Sequence, residues 1–75
     1  MSKATQKQRI IKYISEFGSI TQLDALRDLG VMRLASRISD LRNDGYAING
    51  VMETGKNRYG EPIHYKRYSL EVTNG

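Results

Sequence analysis

The residue pattern predicts a single α+β domain in which three short helices precede an antiparallel β-hairpin. Three observations lead there. Apolar residues recur at helical spacing through three stretches before residue 45, and each stretch ends at a glycine, Gly18, Gly30 or Gly45. Two of the stretches open with a Thr that has an amide or acid three residues on, Thr5 with Gln8 and Thr21 with Asp24. After Gly45 the period changes to alternation, broken by a loop containing Gly55, Gly60 and Pro62. Apolar positions three and four apart line one side of a helix, whereas alternation lines one face of a strand.

The first helix is expected over Gln6 to Phe17. Thr5 and Gln8 satisfy its free backbone donors reciprocally, and Ile10, Ile11, Ile14 and Phe17 form its apolar side. Gly18 is placed to stop it. Lys7, Arg9, Lys12 and Glu16 face outward. Ser19-Ile20 is too short for a free strand but suits the edge of a sheet formed later in the chain.

The second helix opens on the capping box Thr21–Asp24, with the acid also favoured by the helix dipole. Leu23, Ala25, Leu26 and Leu29 are expected on its buried side, and Gly30 ends it. The third helix begins near Met32 or Arg33 and runs to Asp44, before Gly45. Leu34, Ile38 and Leu41 make its apolar stripe. Arg33, Ser36, Ser39, Asp40 and Asn43 project on the other side, with Arg37 at the border. Two short helices joined by a turn at Gly30 have the outline of a helix-turn-helix.

Beyond Gly45, Tyr46, Ile48, Gly50 and Met52 share one side of a strand, opposite Ala47, Asn49 and Val51. A return strand from Ile63 to Val72 carries Tyr68, Leu70 and Val72 on one face, with His64 nearer the tip. The intervening ETGKNRYGEP reads as a long loop whose tip, Lys56, Asn57, Arg58 and Tyr59, is basic and aromatic. Thr73-Asn74-Gly75 is expected to fray. The ordered core spans about residues 5–72 of one domain, residues 1–75.

Composition narrows the function classes. At 75 residues the chain buries only roughly 60% of its unfolded-state surface, enough for one small core. With 39% hydrophobic and 27% charged residues it is polar yet globular. No apolar run reaches the roughly 20 residues that span a bilayer, and the N-terminus lacks the apolar region of a signal peptide, so a cytoplasmic protein without membrane association is expected. No cysteine is present, which excludes disulfides and thiolate zinc ligands. His64 is the lone histidine. It is read as a solvated or hydrogen-bonded strand residue. No nucleophile, acid–base pair or phosphate loop stands out, so neither an enzyme nor a small-molecule substrate is expected, and no cofactor is implied.

The net charge is +4 and is uneven, since Lys3, Lys7, Arg9 and Lys12 fall in residues 1–12 without an acid. Such charge suits a polyanion through counterion release, and it also serves solubility.

The succession of ITQLDALRDLG, the helix LASRISDLRNDGY, the strand YAINGVM and the hairpin segment NRYGEPIHYKRYSL resembles the winged helix-turn-helix superfamily. It is similar in particular to small winged-helix proteins of bacteriophages and mobile elements. The resemblance covers Thr5 to Leu70 and implies the order helix, short strand, two helices, strand, wing, strand. It implies double-stranded DNA as partner, with residues 33–44 in the major groove and the wing, residues 53–62, on backbone or minor groove. Carried over by position, Arg33, Ser36 and Arg37 match the recognition helix, Lys56 and Arg58 the wing, and Thr21 and Gln22 the start of the second helix, which touches phosphate. Asn43 on the outer face of the third helix and Asn57 at the loop tip complete the expected DNA-binding set. A role in transcription or as an accessory factor follows from the resemblance, and a unit this small is expected to need a homodimer or a partner protein for useful specificity.

Two departures bear on the site. Where a tight helix-turn-helix has apolar anchors six and nine residues after the turn glycine, this chain has Ser36 and Ser39, and Ile38 and Leu41 follow two residues later. The turn is therefore longer. Asp40 lies near the groove face, where it opposes phosphate unless it accepts from a cytosine amine or pairs with Arg33 or with Arg37, the latter at i,i+3 spacing. Asp40, Asp44, Glu53 and Glu61 also support a second reading, a winged-helix module that inhibits or scaffolds a host protein such as a polymerase subunit or a defence nuclease.

Overall fold

The computed structural model of the chain describes residues 5–71. The elements are α1 (Gln6–Phe17), β1 (Ile20–Thr21), α2 (Gln22–Asp24) continuing into a π-helical turn (Ala25–Leu29), α3 (Leu34–Asn43), β2 (Ile48–Lys56) and β3 (Pro62–Leu70). Three helices and one sheet of strand order β1-β3-β2, all antiparallel, make the predicted α+β architecture. Lys3, Val72 and the segment expected to fray, residues 73–75, lie outside the described residues.

The caps form as read. Thr5 Oγ1 accepts from Gln8 N–H at 3.2 Å while Gln8 Oε1 accepts from Thr5 N–H at 3.0 Å. Thr21 and Asp24 repeat the arrangement at 3.2 and 3.0 Å. The short strand at residue 20 also takes its expected place, with Ile20 opposite Tyr68 and Thr21 opposite Arg67.

The core is built from Ile10 and Ile14 of α1, Ile20, Ala25, Val31, the α3 stripe Leu34, Ile38 and Leu41, and Ile48 and Tyr68 of the sheet. Fully burying an aliphatic side chain stabilises by about 1.5–3 kcal/mol, so a cluster of this size is what holds so short a chain together.

Five expectations need correction. In the second helix Ala25 is buried and Leu29 half-buried, but Leu23 and Leu26 are 65% and 48% exposed. Ala25 and Leu29 stand about one turn apart in the π-helical segment and face the core together, while Leu23 and Leu26 lie off that line. Val31, beyond the glycine, enters the core instead. Phe17 is 67% exposed and lies against Tyr13, ring centroids 4.6 Å apart, on the surface of α1. The third helix starts at Leu34, with Arg33 as its N-cap and Asp44 as its C-cap.

Tyr46 belongs to that helix's C-terminal cap and not to a strand. Gly45 N–H reaches Arg42 O and Tyr46 N–H reaches Leu41 O, both at 3.1 Å, a Schellman closure that requires the positive φ of Gly45, 105°. Finally, the long loop is largely strand. The β2–β3 register is continuous from Ile48↔Leu70 to Lys56↔Pro62, leaving only residues 57–61 as the turn. Gly55 does not interrupt pairing because the Tyr65 ring covers its open side.

Candidate nucleic-acid interface

Burial of Leu34, Ile38 and Leu41 sets the rotation of α3 on the core. The opposite side then presents Ala35, Ser36, Ser39 and Asn43, all exposed, with Arg37 and Asp40 half-buried at its border. These outer side chains are short, so the helix backbone can approach a groove floor closely. Arg37 Nη1 donates to Asp40 Oδ2 at 3.0 Å, so of the partners open to Asp40 in the sequence it takes the i,i+3 one. At the N-terminal end no acid occupies the first turn and Arg33 makes no side-chain cap. The N–H groups of Ala35 and Ser36 therefore point outward with the positive end of the helix dipole.

The turn from Gly30 to Arg33 is held by one side chain. Gln22 Nε2 donates to Val31 O at 2.9 Å, and its Oε1 accepts from Leu34 N–H at 2.9 Å. Both ends of the amide thus fasten the turn to the first residue of α3. Thr21, buried to 6% exposure, has its hydroxyl engaged as the α2 cap. The side-chain polar atoms of both residues are thus occupied internally.

The wing is two nine-residue strands closed by a compact turn. Asn57 organises it. Its Oδ1 accepts from Tyr59 N–H at 2.9 Å and Glu61 N–H at 3.0 Å, its Nδ2 donates to Glu61 Oε1 at 3.2 Å, and its backbone N–H reaches Glu61 O at 3.0 Å. Arg58 and Tyr59 are held outward at the tip, Tyr59 83% exposed. On the strands below, His64 Nδ1 lies 3.2 Å from Thr54 Oγ1, an exposed cross-strand contact.

Sequence reasoning missed two arginines that set the wing's attitude. Arg42 donates to Ile48 O through Nε (3.2 Å) and Nη2 (3.0 Å) and lies 6.0 Å over the Tyr68 ring, tying the end of α3 to the start of β2. Arg67 donates to Glu53 across the strands at 2.8 Å and to Ser19 at 3.0 Å, joining β3 to β2 and to the residue that precedes β1. The Glu53 carboxylate, through its hydrogen bond, raises the Arg67 guanidinium above its ordinary pKa. No local spacing in the sequence signals either contact.

Charges sort into two groups. Asp40, Asp44 and Glu53 are paired with Arg37, Lys7 and Arg67, and Glu61 is hydrogen-bonded by Asn57. Arg33, Lys56 and Arg58, by contrast, have no acidic partner among the described residues, a condition they share with Arg9, Arg42 and Lys66. Nor is there, among those residues, a grouping of His, Asp and Glu able to hold a metal ion, or a helix long and apolar enough to cross a membrane.

Helix-turn-helix, turn-fastened α3 and a hairpin wing define a winged-helix module. The family model described as winged helix-turn-helix domain matches residues 5–73, and the chain belongs to that family. Comparison with curated proteins and with solved structures finds no match.

Proposed function

We propose that the domain binds double-stranded DNA, with the Ser36, Ser39 and Asn43 side of α3 in the major groove and Lys56 and Arg58 of the wing on the backbone or in the minor groove. Arg33 and Arg37 flank the α3 face and take phosphate or guanine edges; Asp40 holds Arg37 at that border. Thr21 and Gln22 act through position, Gln22 by aiming the N-terminus of α3 and Thr21 by starting α2 beside it. Asn43 reaches the groove floor last, and Asn57 shapes the tip that carries Arg58. The protein then serves as a transcriptional regulator or accessory factor of the phage and mobile-element type, acting in the cytoplasm without catalysis.

The observation that carries this reading is the sorting of charge. The acids that argued for a protein target are each engaged by a neighbour, while the cations at both ends of the proposed face stay available to phosphate. Neutralising about three phosphates gives a slope of log K against log salt near −3. An NMR titration with a random duplex should move amides at residues 33–37 and 56–59, fading as salt rises. The exposed Leu23, Leu26 and Met32 favour the alternative, a module that occupies a host protein. An unmoved spectrum at low salt, with no heparin retention, would decide for that alternative.

A further inference from the structure

The outer edge of β2 is an unpaired strand edge of a kind that small proteins usually blunt. β2 pairs only with β3. The orientation of its backbone follows from bonds at the two ends of the ladder. Glu71 N–H reaches Ala47 O at 2.9 Å, and Asn57 N–H reaches Glu61 O at 3.0 Å. In an antiparallel ladder the hydrogen-bonded pairs alternate, so residues 47, 49, 51, 53, 55 and 57 turn their polar groups toward β3. Those of Ile48, Gly50, Met52 and Thr54 turn away from it. The Ile48 carbonyl confirms this direction, because Arg42 holds it from outside the sheet.

Arg42 therefore closes the edge at Ile48, and beyond it nothing among the described residues pairs with Gly50, Met52 or Thr54. No proline or bulge interrupts the stretch, and Val51 and Met52 are 53% and 60% exposed.

We infer that this edge is a dimer interface at which two copies of the chain join β2 to β2, antiparallel, about a two-fold axis through Val51. In that register Gly50 of one copy lies opposite Met52 of the other, twice over, and both residues present outward N–H and C=O groups. Each such pair exchanges two hydrogen bonds. On the face away from the core, Val51 meets Val51 and Asn49 lies opposite Glu53, an amide against a carboxylate. On the other face, Met52 lies opposite the glycine and beside the Lys66 stem and the Tyr68 ring that cover it. A shift that centres Glu53 sets like charges face to face, and one that centres Met52 sets Val51 against Glu53. Of these three, the Val51-centred register alone avoids both a carboxylate pair and a carboxylate set against valine. It stands independently of DNA binding.

The full chain contains no cysteine, which makes the register directly testable. Val51 sits in a non-hydrogen-bonded pair, where Cα atoms are about 4.5 Å apart and within reach of a disulfide. Val51→Cys is expected to cross-link to a dimer on mild oxidation. Lys56→Cys, displaced from its own copy by roughly 30 Å along the strands, is expected to stay monomeric. In sedimentation the native chain should dimerise with rising concentration, and Val51→Lys, which opposes two ammonium groups, should abolish the dimer while retaining the far-UV spectrum. A monomer at every concentration overturns the inference, as do equal cross-linking rates for the two cysteine variants or a dimer indifferent to Val51→Lys. Should Val51→Lys fail to fold, the cysteine pair decides alone.

Discussion

At the scale of single residues, Gln22 concentrates the most structure in one side chain. Its amide donates to one side of the turn and accepts from the other, a pair of roles no carboxylate can fill. Gln22→Glu keeps an acceptor for Leu34 N–H but sets a carboxylate oxygen against the Val31 carbonyl. A loss of about 1–2 kcal/mol is expected, measurable by urea unfolding, because a buried carbonyl loses its donor and an anion faces it. Gln22→Ala should cost a similar amount while also freeing the N-terminus of α3, so that DNA affinity falls more than stability alone explains. Unchanged unfolding in both variants would show that the turn holds itself. This role was not legible in the sequence, where Gln22 matched a phosphate-contacting position. The spacing from 22 to 31 and 34 means nothing until the turn is closed. The Arg37–Asp40 pair was legible because an i,i+3 contact needs only that the helix exist.

At the scale of elements, the readable parts were those set by neighbours in the chain: the two Thr capping boxes, the span of α1, and the Leu34, Ile38, Leu41 stripe. What could not be read were faces and lengths chosen by distant partners. The inward arc of the second helix is the Ala25–Leu29 line because Val31 must follow it into the core, and leucine content alone pointed to the wrong arc. Likewise, glycine and charge across residues 53–62 resembled a loop, but pairing with β3 carries the strand through to Lys56. The wing's tip is then short and built on Asn57. Removing that side chain in Asn57→Ala should speed amide exchange at Tyr59 and Glu61 and lower stability by about 1 kcal/mol. Arg58→Ala should leave exchange untouched and flatten the salt dependence of DNA binding by about one unit of slope. If Arg58→Ala leaves the slope unchanged, the tip does not contact phosphate.

At the scale of the whole molecule, carboxylates help hold the elements to one another. Lys7 joins the start of α1 to Asp44 at the end of α3 at 2.7 Å, and Tyr13 of α1 donates to Asp28 of the π-helical turn at 2.6 Å. Arg27 also donates to Asp28, at 3.0 Å. The Arg27 guanidinium first and the Tyr13 hydroxyl second hold the Asp28 carboxyl below its ordinary pKa. The hydrogen bond to Asp28 in turn raises the Tyr13 hydroxyl. A depressed carboxylate stabilises the folded state at pH above its unfolded value, and that contribution disappears as pH falls through the folded one. Lys7, raised by its hydrogen bond to Asp44, contributes below the ordinary lysine value and loses this only as pH climbs through the raised one. Stability is therefore expected to be flat near neutrality and to fall in the acid carboxylate range, where a net charge already at +4 grows and adds self-repulsion. The groups are solvent-accessible, so the effect of each pair is small and salt-sensitive. Thermal midpoints followed down through the acid range should fall for the native chain and fall less for Asp28→Asn. Tyr13→Phe, which keeps the ring beside Phe17 but removes the hydroxyl, should show an intermediate fall. Parallel profiles for all three proteins would mean that acid acts through net charge alone and that the α1 contact with the π-helical turn is held by its apolar side chains.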